Sequence, residues 1–125
     1  MPEELRAEAV SYRYPAADQD ALREVNAYFG AGTSTAVMGA VQAGKSTLLR
    51  ALAGVIRASE PGEFAGRIRY GAADFADYRV QTLSRYIGLV LQDPASQIIG
   101  RTVGEDVAFG PRNHLLTRAE IKRRV

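Results

Sequence analysis

The run Gly39-Ala40-Val41-Gln42-Ala43-Gly44-Lys45-Ser46-Thr47 gathers the residues of this chain that could do chemistry. It fits G-x-x-x-x-G-K-[ST], the loop that cradles phosphates with backbone N–H groups. In such a loop Lys45 reaches the β and γ phosphates, and the Ser46 hydroxyl holds Mg²⁺. A bland alternative is a glycine turn that happens to precede a lysine. The flanks decide between them, because the motif needs a strand before it and a helix after it. Thr35-Ala-Val-Met38 reads as a short buried strand, and Ser46 to Ala53 as the first turns of a helix. Leu48, Leu49 and Leu52 fall on one face of that helix at spacings of three and four. The helix start adds its own N–H groups to the phosphate site.

Length and composition bound what can surround this loop. A chain of 125 residues is one domain at most. Hydrophobic residues make up 46%, enough for a moderate core. The net charge of +2 is spread over mixed signs, with no basic run that would argue for nucleic acid. There are no cysteines, which excludes disulfides and thiolate metal sites. Met1-Pro-Glu-Glu4 lacks the positive and apolar parts of a signal peptide. No apolar run approaches the ~18 residues of a membrane span. These features predict a cytoplasmic chain.

The remaining elements follow in order. Leu5 to Tyr14 alternates, then slips phase, and predicts an antiparallel strand with a bulge. Residues 15–20 form a turn. Ala21 to Phe29 is a second strand with Leu22, Val25, Ala27 and Phe29 inward, and Gly30-Ala-Gly32 is a tight turn. The phosphate helix is expected from Lys45 to Ile56, with Gly54 inside it or capping it. Residues 58–66 read as a loop, and Arg67 to Tyr70 as a short strand. Asp77 to Tyr86 reads as partly helical with Val80 and Leu83 inward. Tyr86 to Leu91 reads as a buried strand ended by Gln92-Asp93-Pro94. Thr102 with Glu105 makes a capping box for a helix over 102–109, with Val103, Val107 and Phe109 inward and a stop at Gly110-Pro111. Thr117 with Glu120 opens another helix, on which the chain ends at Val125. A helix begun and not completed suggests an amino-terminal portion of a longer domain, whose sheet would carry an unpaired edge.

Four segments carry a family resemblance: Val10-Ser-Tyr-Arg-Tyr-Pro15, Gly39 to Leu49, Ile87-Gly-Leu-Val-Leu-Gln92-Asp-Pro-Ala-Ser-Gln97, and Thr102-Val-Gly-Glu-Asp-Val-Ala-Phe-Gly-Pro111. In this order and spacing they are specific. The chain resembles the first half of an ATP-binding subunit of an ABC transporter, and is most similar to the energy-coupling-factor importers for vitamins and metal ions. The resemblance runs from about Glu4 to Val125. It implies an α/β fold, a partial P-loop nucleoside triphosphate hydrolase core with an N-terminal antiparallel β layer, over residues 1–125. It implies ATP and Mg²⁺ as cofactors. It also implies a transmembrane transporter subunit and a second ATP-binding subunit as partners, no nucleic acid, and a place on the inner face of the cell membrane as a peripheral protein.

Site residues transfer position by position. Tyr14 matches the aromatic that stacks on adenine, a role suited to a flat π face; Tyr12 is the weaker candidate. Gln92 matches the glutamine that contacts Mg²⁺ and the attacking water, and an amide can both donate and accept there. Lys45 and Gln92 are thus the catalytic candidates, Ser46 and Gln92 the metal candidates, and Tyr14 with residues 39–47 the nucleotide candidates. Asp93 supports a rival reading, in which an acid after an apolar run holds Mg²⁺ in a very small P-loop kinase. Ile98 and Ile99 lie in the stretch that resembles the edge receiving the membrane partner.

Departures from the family pattern sharpen the expectations. Val41 and Gln42 stand where it carries asparagine and glycine. A side chain at Gln42 resists a glycine conformation and is expected to cost on the order of 1 kcal/mol. No Ser-Gly-Gly-Gln signature run, second acidic motif or switch histidine occurs, and His114, the one histidine, is wrongly placed for a switch. Two function classes therefore stay open. One is an ATPase module that energises an importer. The other is a nucleotide-binding module without hydrolysis.

Overall fold

A computed structural model describes residues 4–59 and 61–125. Met1 to Glu3 and Glu60 lie outside the described residues, and with them most of the stretch read as lacking a signal peptide. Two compact units divide the chain, residues 1–89 and 90–125.

The first unit is built on a sheet. Strands β1 (Leu5–Arg13) and β2 (Leu22–Phe29) pair antiparallel, as the alternating pattern predicts. The phase slip is a bulge, with register breaks between Ala7 and Val10 and between Val10 and Tyr12. The bulge restores Val10 and Tyr12 to the buried face that Ala7 occupies, and all three are buried. Leu22 is buried, and Val25, Ala27 and Phe29 pack against the same core.

Helix α1 (Lys45–Leu52) follows the phosphate loop and buries Thr47, Leu48, Ala51 and Leu52. Leu49 departs from the expected face and is exposed. The expected single helix to Ile56 is broken at Gly54, and a separate α2 spans Val55–Ser59. Gly54 has φ +75°, and a Cβ there would stand 2.5 Å from Leu83 Cδ1. Glycine is therefore required both for the turn and for the close packing.

The stretch expected to be a loop to residue 66 and a short strand is instead one strand, β3 (Glu63–Tyr70). It pairs with the free edge of β1, Leu5 opposite Tyr70 and Tyr12 opposite Phe64. A two-residue β4 (Ala73–Asp74) completes the order β2-β1-β3-β4. A 3₁₀ turn at Phe75–Asp77 and the short helix α3 (Val80–Leu83) bury Phe75 and Leu83 under the sheet's apolar side. Each large apolar side chain taken from water in this way contributes about 1.5–3 kcal/mol.

Two expected strands are absent. Thr35–Met38 is irregular and exposed, and residues 86–91 form no strand. Both were read as buried by composition, yet Met38 is 89% exposed and Val90 74%. A parallel strand gains its hydrogen bonds only from neighbours reached through long crossovers. Neither segment has such a neighbour among the described residues, so neither is counted in the sheet.

The second unit is helical. A 3₁₀ turn at Pro94–Gln97 precedes helices α4 (Val103–Asn113) and α5 (Arg118–Arg124), which pack on each other. The Thr102 hydroxyl accepts from Glu105 N at 3.2 Å, and the Thr117 hydroxyl from Glu120 N at 3.3 Å, so both predicted N-caps form. Pro111 does not stop α4 but sits inside its last turn. Proline there removes only one intrahelical N–H, near an end where the ladder already lapses. The expected inward residues of α4 are exposed: Val103 by 82%, Val107 by 49% and Phe109 by 44%. Only Ala108 of this unit is buried. Asp106 binds the preceding loop, its Oδ1 accepting from Ile99 N at 2.8 Å and Gly100 N at 2.9 Å. These N–H groups hold its carboxyl below the usual aspartate range.

Candidate nucleotide site

The phosphate loop leaves the end of β2 through a turn at Gly30–Gly32 and reaches α1 through a second turn, Ala43 N donating to Ala40 O at 3.2 Å. Gln42 takes φ +66°. A non-glycine residue rarely adopts that conformation, so the strain expected from its replacement of glycine is present in the backbone. Gly44 follows at φ +86° as the N-cap of α1. A Cβ at Gly44 would stand 2.4 Å from Ala21 O, so this glycine lets the loop touch the start of β2. Ala21 was not expected to bear on the site. Nothing local marks it, because the contact depends on how β2 and the loop meet.

With glycine as its cap, α1 has no side chain satisfying its first N–H groups. Those donors and the positive end of the helix suit an anion. The Lys45 ammonium donates to Gly39 O at 2.9 Å and to Ala40 O at 2.6 Å. It thus folds back across the loop and holds the two ends of the motif together. Ser46 is exposed at the helix start and Thr47 is buried behind it.

Tyr14 completes the site from the far end of β1. Its hydroxyl lies 3.2 Å from Thr47 Oγ1. Its ring meets Tyr12 edge-on, with centroids 4.8 Å apart and planes at 81°. Tyr12 itself is buried, and its hydroxyl donates to Pro61 O at 3.0 Å, so it is committed to the core and unavailable for a base. Tyr14, Gln42 and residues 44–47 line a cleft of about 280 Å³. The fold therefore brings together Tyr14, Gln42, Gly44, Lys45, Ser46 and Thr47, with Gly39 and Ala40 joined through Lys45. Val41 points to solvent, 90% exposed. Gln92 belongs to the other unit, on an exposed stretch rather than at a strand end. Asp93 is there too, capping the 3₁₀ turn at Pro94.

The residues present fit a nucleotide's phosphates: uncapped helix N–H groups, the Lys45 ammonium and a small hydroxyl at Ser46. Among the described residues no group of three His, Asp or Glu side chains could hold an ion alone. Magnesium would then arrive on the phosphates, as it commonly does. Among the described residues no helix is long and apolar enough to cross a membrane.

Residues 22–124 match the family described as ABC transporter. A Methanosarcina acetivorans protein provisionally named an ABC transporter ATP-binding protein is 37% identical over 98% of this chain and 20% of its own length. The energy-coupling factor transporter ATP-binding protein EcfA of the same organism is 38% identical over 97% of this chain and 42% of its own length. A Vibrio vulnificus protein, also provisionally named an ABC transporter ATP-binding protein, is 33% identical over 89% of this chain and 19% of its own length. The chain thus spans between 19% and 42% of the length of these relatives.

Proposed function

The chain belongs to the ABC transporter family, and on that premise we propose that it binds ATP–Mg²⁺ for an energy-coupling-factor importer of a small nutrient. The observation that carries this reading is the Lys45 ammonium held across Gly39 and Ala40, in front of an α1 start left uncapped by Gly44. When phosphates enter, the ammonium exchanges two carbonyls for charged oxygens, a stronger pairing. Ser46 offers its hydroxyl to the magnesium. The bound ion supplies charge neutralisation at the phosphates. Tyr14 offers its ring to adenine, held in place by Thr47 and Tyr12. Gln92 is assigned to the metal and the attacking water.

The importer type is supported by the EcfA relative, whereas the other Methanosarcina acetivorans relative and the Vibrio vulnificus relative carry the general ABC name. Hydrolysis coupled to transport is assigned to the assembled transporter, with a transmembrane subunit and a second ATP-binding subunit, at the inner face of the membrane. Ile98 and Ile99, each 65% exposed, are assigned to the membrane partner's edge. By itself this chain is expected to bind nucleotide without appreciable turnover, because among the described residues no acid lines the cleft at the loop to polarise water.

Titration calorimetry with ATP–Mg²⁺ tests the binding. Lys45→Ala should lose about tenfold or more in affinity, the worth of a hydrogen bond to a charged group. Equal heats for the two proteins would remove Lys45 from the site. Gln42→Gly should bind at least as tightly as the parent, since it relieves the strained φ.

A further inference from the structure

A second cavity lies in the first unit, at the other end of α1 from the nucleotide cleft. It measures about 360 Å³ against the cleft's 280 Å³. One part of its wall is apolar, made by Ile68, Phe75 and Leu83, all buried. The break at Gly54 shapes it: α1 ends beside Leu83, and α2 departs with Arg57 and Ala58 on the cavity. Arg79, the residue before α3, faces it as well.

Among the described residues the charge at this cavity is one-sided: Arg57 and Arg79 line it, and no described carboxylate does. Arg6, Arg13 and Arg67 of the same unit each pair with an acid. Among the described residues Arg57 and Arg79 form no ion pair; the Arg57 guanidinium rests over the Phe64 ring, 5.5 Å from its centroid. A guanidinium stacked on a ring keeps its N–H fork free for an oxyanion. Arg57 and Arg79 beside an apolar wall complement one kind of small molecule. Its carboxylate would take the forks, and its hydrocarbon part would cover Phe75 and Leu83.

We propose that the cavity between Gly54, Ile68, Phe75 and Leu83 is a binding site for a small carboxylate with an apolar body, held by Arg57 and Arg79. The site is separate from the nucleotide cleft and does not depend on what that cleft binds.

The test is a titration of the full chain with octanoate, followed through the amide resonances of Gly54, Ala76 and Gln81. Octan-1-ol and octylammonium serve as neutral and cationic probes of the same length. Octanoate should give saturable shifts at those amides. Its affinity should fall about tenfold in Arg57→Gln and in Arg79→Gln, the loss of one charge-assisted bond. Both arginines are exposed, so thermal unfolding should stay that of the parent. Ala76→Trp, at an exposed lining position, should block binding by filling the space. Lys45→Ala should leave octanoate binding unaltered. Equal affinity for octan-1-ol or octylammonium would overturn the proposal, leaving an apolar surface without charge recognition. So would undiminished octanoate binding in both arginine variants, or shifts confined to residues 42–47 and lost in Lys45→Ala.

Discussion

Val10, Tyr12 and Ile56 in the first unit are almost wholly buried, whereas Ile98, Ile99 and Val103 in the second stand largely in solvent. The two regions are held by different physics. Residues 4–89 fold through non-local contacts: β1 lies between β2 and β3, and both helices of the phosphate loop pack under that sheet. Residues 90–125 are held by local hydrogen bonds instead. Thr102 and Thr117 cap helices, Asp106 ties the preceding loop to α4, and Glu120 receives Arg123 and Arg124 at 2.7 Å. Local polar bonds define helix ends but bury little apolar area. The second unit is therefore a set of well-specified helices whose apolar residues are largely uncovered.

The sharpest test of this contrast uses one residue type in both regions. Ile56→Ala should cost about 2–5 kcal/mol in urea unfolding, because it opens a cavity in a closed core. Ile98→Ala should change the same measurement by less than about 0.5 kcal/mol, as an exposed side chain does. Equal costs would show that the second unit hides a core of its own.

Gly44→Ala comes next. The Cβ would strike Ala21 O and must also occupy φ +86°, so about 1–3 kcal/mol should be lost. Nucleotide affinity should fall with it, read by calorimetry in the folded fraction. Retention of both would mean that the loop need not touch β2.

Thr102→Ala should cost less, about 1 kcal/mol, since one N-cap bond is removed. The loss should be seen in amide exchange over the first turn of α4. An unchanged exchange rate there would show that Glu105 and Asp106 hold that helix end without the hydroxyl.

The smallest effect is acid loosening of the loop before α4. The Asp106 carboxyl titrates below the usual aspartate range, because Gly100 and Ile99 N–H groups favour its charged form. Its contribution is present above the unfolded-state value and is lost as pH falls through the lowered folded value. Amide exchange at Ile99 and Gly100 should therefore quicken only at strongly acid pH. Asp106→Asn should show fast exchange already at neutral pH; an Asn variant as protected as the parent would remove the charge from the account.

The two larger effects involve partners far apart in the chain and the two smaller ones partners close in sequence, and the same separation governs what could be read from sequence. The helix that follows the glycine-rich loop, the β1 bulge, the β2 inward set and the Thr102 and Thr117 caps were all legible, because each depends on residues within a few positions of one another. Gln42's positive φ was legible too, since it follows from which residue fills a glycine position. The tertiary structure decided the rest. Residues 63–70 became a full strand only because β1, some fifty residues earlier, offered an edge with matching register. Leu49 faces outward because the sheet covers one side of α1 only. Tyr12 was withdrawn from the site by burial in the core, whereas Tyr14, just past the end of β1, lines the cleft. Residues 35–38 and 86–91 have strand-like composition but no paired neighbour, and composition cannot supply one. Backbone hydrogen bonds between strands are made with whatever lies alongside, and what lies alongside is a property of the folded chain.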